Sequence, residues 1–225
     1  MGRALLDVAA LAVYVALAVT VAVGMFGGVQ GGGMPMSGWF GWHPVLMTIA
    51  FPCLMPIGRL AYAAQPTWPG LQRPEGRRRA HGVIMATAAL VMLLGYACIF
   101  GAHLPAKKFL GYDFKTGTWA SFIRVAHVWV GYATIAMTVV QATVGIQKSR
   151  FLALTGEKKY RFHGQLGKAI MLSSGVAVLL AISFWGWSSP MKAALVVLLS
   201  SALSIGIAAP RAPADAEAQP IKAEA

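Results

Sequence analysis

Charged residues are scarce in this chain, and carboxylates are the scarcest of them. Only 12% of the 225 residues are Asp, Glu, Lys or Arg, whereas 57% are hydrophobic. A soluble domain carries about a quarter charged residues, so this composition excludes an ordinary soluble fold and predicts a membrane protein. The formal net charge of +12 lies mostly in the loops, which favours a role in membrane orientation and argues against nucleic-acid binding.

Cysteine is almost absent as well. Cys53 and Cys98 both lie inside apolar runs, which argues against a disulfide framework, and the sequence has no Cys-x-x-Cys-His motif for covalent haem attachment. Any haem would therefore be b-type, held by ligation and packing. No cleavable signal is expected, because the apolar run from Ala4 to Phe26 is too long for a signal peptide and is typical of a first membrane span.

Six apolar runs are long enough to cross a bilayer, which requires about 20 helical residues. The sequence predicts them near residues 4–27, 42–63, 80–103, 120–146, 163–186 and 191–209. We therefore expect an all-α, polytopic membrane protein in which residues 1–209 form one six-helix domain in the lipid bilayer. Residues 210–225 are rich in alanine and proline and are predicted to form a short disordered tail.

Basic residues are distributed unevenly between the two sides of the predicted membrane. If the N-terminus, the 64–79 and 147–162 loops, the tail and the adjoining helix ends share one side, that side holds fourteen of the nineteen Lys and Arg residues. The other side then holds Lys107, Lys108, Lys115, Arg124 and Lys192. Positively charged segments remain in the cytosol, so we expect both termini to be cytosolic.

Four histidines lie at or near the beginnings of the four central spans, namely His43, His81, His127 and His163. Because consecutive spans run in opposite directions, His43 and His127 should lie near the outer face, and His81 and His163 near the cytosolic face. Two histidines per side, on alternating helices of one bundle, predict bis-imidazole ligation of one haem at each side. Spans two to five would then form a di-haem four-helix core.

Two other interpretations of the histidines fit the sequence less well. Four separately hydrogen-bonded histidines would require their matching levels to arise by chance. A zinc site would need four ligands, but neither face offers a carboxylate or a thiolate at the level of its two histidines. Haem supplies its own equatorial ligands, and the small neighbours Gly82 and Gly164 would let a flat macrocycle approach the helix backbone.

Several motifs resemble the helices of the eukaryotic cytochrome b561 family in order and spacing. They are Trp42-His43-Pro44-Val45-Leu46-Met47 followed by Phe51, Arg79-Ala80-His81, His127 followed by Gln141 and Gly145, and Lys159-Tyr160-Arg161-Phe162-His163-Gly164. The resemblance covers about residues 4–209, and it is greatest to a short, stand-alone branch of the family.

The resemblance implies a transmembrane oxidoreductase with two b-type haems, in an endomembrane or the plasma membrane. Such proteins accept electrons from cytosolic ascorbate and deliver them across the membrane to monodehydroascorbate or to ferric iron, as an ascorbate-dependent ferric reductase does. By position, His43 and His127 would ligate the outer haem, and His81 and His163 the cytosolic one. A homodimer is one compatible assembly.

Span two departs from the family pattern near its cytosolic end. Relatives usually carry a Glu fourteen residues after the first ligand, and Ile57 stands there in this chain. Pro52 and Pro56 precede this position, Arg59 follows it, and the two prolines should kink the helix, because each proline removes a backbone donor.

Cytosolic basic residues are the predicted contacts for the electron donor. Ascorbate is an anion at neutral pH, so cations beside a haem edge would attract it. The candidates are Arg77, Arg79, Lys158 and Lys159, each close in sequence to a predicted haem ligand.

Outer basic residues and the fifth histidine are the predicted contacts on the acceptor side. Arg124 lies three residues before His127 on the same helix face, where it could hold a haem propionate. His103 ends span three and is followed by Lys107 and Lys108, which would attract an anionic radical or a ferric chelate.

Two further function classes compete with this interpretation. A di-haem membrane anchor that passes electrons between a quinone and a partner subunit would use the same histidines. A cofactor-free transporter would relay protons through histidines and acidic partners, but the predicted spans contain almost no carboxylates.

Overall fold

The fold is known from a computed structural model that describes residues 2–27, 33–63, 68, 70–157 and 159–209, with side chains from Leu6 onward. Its α-helices are α1 Gly2–Phe26, α2 Trp39–Thr48, α3 Met55–Leu60, α4 Pro74–His103, α5 Phe122–Thr155, α6 His163–Phe184 and α7 Ser189–Ala208. A π-helical segment, Ile49–Leu54, joins α2 to α3 and makes them one span. Within these described ranges, six helical runs are long and apolar enough to cross a membrane, which confirms the predicted polytopic fold. The predicted tail, residues 210–225, lies outside the described residues.

Span two is irregular where the sequence predicts a kink. Pro52 lies inside the π-helical segment, and the backbone N–H of Met55 bonds the carbonyl of Ala50, five residues earlier. This wider turn accommodates a residue that cannot donate a backbone hydrogen bond. The segment is buried at Ala50, Phe51 and Cys53, so neighbouring helices cover the irregular backbone.

Two helices are longer than their apolar runs indicated. Helix α4 begins at Pro74 and not near residue 80, and α5 continues to Thr155 and not to 146. Gly156 ends α5 in the left-handed conformation, with φ of 72°. The apolar pattern stops where the hydrocarbon region stops, whereas the helices continue into the polar layer.

A small antiparallel sheet, which the sequence analysis did not predict, connects α4 to α5. Its strands are β1 Lys108–Phe109, β2 Tyr112–Asp113 and β3 Thr118–Trp119, paired in that order. Leu110 and Gly111 form the first turn with φ of 57° and 83°. Positive φ at both central residues is typical of a type I′ hairpin turn, which usually contains Asn-Gly or Asp-Gly.

The helices pack as pairs. Helix α2 packs against α4, α5 against α6, and α1 against α7. Tyr14 and Leu17 of α1 are buried against Leu195 and Leu199 of α7. The α2–α4 pair and the α5–α6 pair face each other across the interior of the bundle, and the four central histidines lie on these pairs.

Candidate functional site: two histidine pairs

The structure brings the four central histidines together as two pairs. The ring centroids of His43 on α2 and His127 on α5 are 6.4 Å apart. Those of His81 on α4 and His163 on α6 are 6.3 Å apart. Each pair therefore joins one helix of the α2–α4 pair to one helix of the α5–α6 pair.

In three of these histidines, the ring is held by a backbone carbonyl on the other helix of the same helix pair. Nδ1 of His43 lies 3.0 Å from the carbonyl oxygen of Gly95 on α4. Nδ1 of His81 lies 2.9 Å from that of Gly58 on α3, and Nδ1 of His127 lies 2.8 Å from that of Ala177 on α6. A carbonyl oxygen accepts a hydrogen bond from Nδ1–H, which fixes the neutral tautomer with its lone pair on Nε2. Such histidines are prepared to bind a metal through Nε2.

The spacing within each pair fits one iron between two axial imidazoles. A metal–nitrogen bond of about 2 Å on each side, with about 1 Å from each nitrogen to its ring centre, separates the centroids by about 6 Å. Among the described residues, no group of three His, Cys, Asp or Glu side chains could hold a metal ion. A donor set of two imidazoles suits haem, because haem supplies the remaining four ligands.

The pair of His43 and His127, which is predicted to lie near the outer face and is here called the outer pair, opens into a cavity of about 530 Å³ between the helix pairs. His43 and His127 line it, together with mostly apolar residues of α2, α4, α5 and α6 and residues of the β-sheet, which lies beside it. Gly131, one turn after His127, also lines it, and a Cβ at this glycine would meet no atom within 4 Å. The cavity is therefore of a size and polarity that suits a flat apolar cofactor.

Arg124 and His103 both line this outer cavity. The Arg124 guanidinium carbon lies 5.5 Å from the centre of the Phe184 ring, which lies 5.6 Å from the His127 ring. The His103 ring lies 6.0 Å from that of Phe40. A cation and an imidazole, both predicted from the sequence, thus share one space with the outer histidine pair.

The two predicted lysines of the outer loop have different positions. Lys108 lines the cavity, and its Nζ lies 3.2 Å from a carboxylate oxygen of Asp113. The backbone N–H of Lys115 and the charge of Lys108 hold the pKa of Asp113 below its usual value, so this partner remains ionised. Lys107 is exposed and does not line the cavity. Lys108 therefore has access to the cavity, whereas Lys107 does not.

At the end of the bundle that holds His81 and His163, Arg77 is not presented to solvent. Its side chain is 6% exposed, and its Nε donates a hydrogen bond to the carbonyl of Leu71 at 2.7 Å. This position links α4 to the preceding turn. A buried guanidinium is poorly placed to meet a soluble anion.

Arg79 and Lys159 are exposed at the same end of the bundle. The Lys159 ammonium lies 4.8 Å from the centre of the Phe151 ring, a cation–π contact that positions this side chain beside α5. Lys158, the remaining predicted donor contact, lies outside the described residues.

Sequence reasoning missed the groups that orient the histidines. Backbone carbonyls carry no side-chain signal, so the roles of Gly95, Gly58 and Ala177 could not be predicted from the sequence. It also missed a tyrosine pair that lines the outer cavity, in which the Tyr96 and Tyr132 hydroxyls are 3.4 Å apart.

Replacement of Gly95 by alanine should disturb the outer site specifically. A Cβ at Gly95 would lie 3.1 Å from Cβ of Leu46 and 3.4 Å from the backbone nitrogen of Met47, so α2 would have to move. We expect a loss of about 1–3 kcal/mol of stability and weaker retention of haem at the outer pair. Thermal unfolding and the absorbance spectrum measure these two effects.

Gly101→Ala is the matched control, because a Cβ there would lie at an ordinary 3.5 Å from the Trp39 ring on the same pair of helices. This control should be at least as stable as the natural protein, since alanine has a higher helix propensity than glycine. Equal stability and equal outer haem content in the two variants would contradict the proposed role of the close α2–α4 contact.

The similarity to known proteins agrees with this geometry. Residues 42–189, which include all four paired histidines, match the family described as eukaryotic cytochrome b561. Over 65 residues the chain is 37% identical to the transmembrane reductase CYB561D2 of Homo sapiens, and equally so to that of Bos taurus. These matches cover 29% of this chain and 29% of each relative, and they confirm the expected likeness to the branch called cytochrome b561 domain-containing protein 2. This chain belongs to the eukaryotic cytochrome b561 family of transmembrane b-type cytochromes.

Proposed function

We propose that this protein is a di-haem reductase that takes electrons from cytosolic ascorbate and passes them across the membrane to monodehydroascorbate or a ferric chelate. His43 and His127 would hold the outer haem, and His81 and His163 the cytosolic one. A bound haem supplies a one-electron redox centre at each site. The observation that carries this proposal is the pairing of the four histidines across the helix pairs at 6.4 and 6.3 Å.

The depth of the two pairs supports a transmembrane path. The carbonyl that holds His43 belongs to Gly95, fourteen residues after His81 on α4. At about 1.5 Å per residue, the two levels are about 21 Å apart along a hydrocarbon core about 30 Å thick. One site thus lies toward each face, as transfer from one side to the other requires.

The charge distribution supports an anionic donor on the cytosolic side. Arg79 lies two residues before His81, and Lys159 lies four residues before His163, and both are exposed. Two cations beside the cytosolic pair would raise the local concentration of ascorbate. The larger number of Lys and Arg residues on the side that includes the termini also favours cytosolic termini.

The outer cavity supports an anionic acceptor. His103, Lys108 and Arg124 line it beside the outer histidine pair. A neutral imidazole can ligate ferric iron or hydrogen-bond an ascorbyl radical, while the cations attract either anion. The similar human and bovine proteins are named transmembrane reductases, in agreement with this proposal.

A variant of His103 tests the acceptor side of the proposal. Natural protein should be reduced by ascorbate and then oxidised by ferric chelates and by monodehydroascorbate. His103→Ala should slow at least one of the two oxidations and leave both haem spectra and ascorbate reduction unchanged. Stopped-flow absorbance on pre-reduced protein measures each rate.

Lys107→Gln is the control for this test, because Lys107 is exposed outside the cavity. It should leave both oxidation rates unchanged at physiological salt. If both oxidation rates are unchanged in His103→Ala, the acceptor docks elsewhere and His103 is only an interfacial residue.

A further inference from the structure

Each candidate ligand is contacted from the adjacent helix of its own pair, and one of these contacts differs in kind. For His43, His81 and His127 the contact is a backbone carbonyl. For His163 on α6, the neighbouring helix α5 contributes the side-chain amide of Gln141. A side chain, unlike a carbonyl, can be removed by substitution.

The Gln141 amide makes two contacts with His163. Its Nε2 donates a hydrogen bond to the His163 backbone carbonyl at 2.8 Å and lies 3.4 Å from the imidazole Nε2. The first distance is that of an ordinary hydrogen bond, and the second is at its outer limit. Gln141 thus fixes both the height of His163 at the start of α6 and the environment of its ring.

The surrounding glycines leave space for this arrangement. A Cβ at Gly167 would lie 3.1 Å from the Gln141 Nε2, and a Cβ at Gly145 would lie 3.1 Å from Cε1 of His163. The Gln141 amide oxygen is buried and has no hydrogen-bond partner within the described part of the chain. Gln141 therefore contacts His163 through its amide nitrogen and not through its oxygen.

We propose that Gln141 is a positioning residue for the cytosolic site. Its amide N–H holds the His163 backbone carbonyl and thereby sets the position of the ring, whereas in the other three histidines a backbone carbonyl accepts a hydrogen bond from Nδ1 of the ring itself. Partners of a metal-binding histidine typically change metal affinity by about 10- to 100-fold when they are lost. Gln141 would therefore control haem retention and the midpoint potential at the cytosolic pair and not at the outer pair. This inference rests on the proposed function, since it requires a haem between His81 and His163.

Gln141→Met tests the inference, because methionine has a similar length but no amide. We expect cytosolic haem to transfer to apomyoglobin at least about tenfold faster than in the natural protein. Where haem remains, a tenfold change in the ratio of ferric to ferrous affinity would shift its midpoint potential by about 59 mV. The low-spin EPR signal of the cytosolic haem should also change, whereas the signal of the outer haem should not.

Gly167→Ala displaces the Gln141 amide but keeps the side chain itself. This variant tests the role of Gln141 if Gln141→Met loses the cytosolic haem during purification. It should change the cytosolic haem in the same way but less. Thr138→Val is the control, because the Thr138 hydroxyl lies one turn away on α5 and bonds only the Thr134 carbonyl among the described contacts. It should leave both haems unchanged.

The outcomes separate this inference from the proposed function. Natural protein with two haems, together with unchanged release, potential and EPR signal in Gln141→Met and Gly167→Ala, would overturn the role of Gln141 alone. Natural protein without haem at the cytosolic pair would overturn both. Equal changes at the two sites would reduce Gln141 to a general contact between α5 and α6.

Discussion

Replacement of His43 or His127 by alanine is expected to remove the outer haem and leave the cytosolic one in place. Each ring lies opposite its partner at a distance that suits one iron, so loss of either ring leaves the iron with a single axial imidazole. Replacement of His81 or His163 should remove the cytosolic haem in the same selective way. The natural protein should bind two haems per chain, six-coordinate and low-spin when oxidised.

Pyridine-haemochrome titration gives the haem content of each variant, and the EPR spectrum shows which site is lost. Tyr62 provides a control, because its ring lies 5.2 Å from His81 without belonging to either histidine pair. Tyr62→Phe should keep both haems. The pairing is wrong if every histidine variant that still folds loses both haems equally.

Neutralising Arg79 and Lys159, the exposed cations beside the His81–His163 pair, is expected to weaken the response to ascorbate. Loss of a charge-assisted hydrogen bond of about 1.5–3 kcal/mol from Arg79 or Lys159 would raise the ascorbate concentration for half-maximal haem reduction by about ten- to a hundredfold. Reduction by dithionite, which needs no binding site, should be unchanged. Titration with ascorbate, followed by the absorbance of the reduced haem, gives this half-maximal concentration.

Lys115→Gln removes the same charge from the opposite face and is the control for general electrostatic effects. Arg77→Gln should instead lower the thermal stability, since this buried side chain bonds the Leu71 carbonyl. An unchanged ascorbate dependence in the double variant Arg79→Gln, Lys159→Gln would mean that the donor binds elsewhere.

Much of this arrangement could be predicted from the sequence, because it depends on the length of the apolar runs and on the position of each histidine along its span. Apolar runs of about 20 residues define the spans, and alternating spans assign each histidine to a face. Once these are known, the pairing of His43 with His127 and of His81 with His163 follows from helix direction alone. An irregularity of span two near Pro52 was also predicted, because proline cannot continue the hydrogen-bond pattern, although its π-helical form was not.

The remainder could not be predicted, for physical reasons that differ from case to case. The carbonyls of Gly58, Gly95 and Ala177 orient the rings, but every residue has a carbonyl, so only tertiary packing selects them. The sheet between α4 and α5 has strands of two residues, too short for any periodicity. The burial of Arg77 depends on how the turn before α4 folds back, and its charge alone suggested exposure.

We propose that electrons cross the membrane from cytosolic ascorbate to an acceptor on the outer side. The most direct measurement uses purified protein in sealed vesicles that contain a ferric chelate and a trapped indicator for Fe(II), with ascorbate added outside. Vesicles that carry the natural protein should accumulate internal Fe(II), and vesicles with His43→Ala or His81→Ala should behave like protein-free vesicles. Internal Fe(II) formed at the same rate in all of these vesicles, or none formed by natural protein whose haems are fully reduced, would contradict the account.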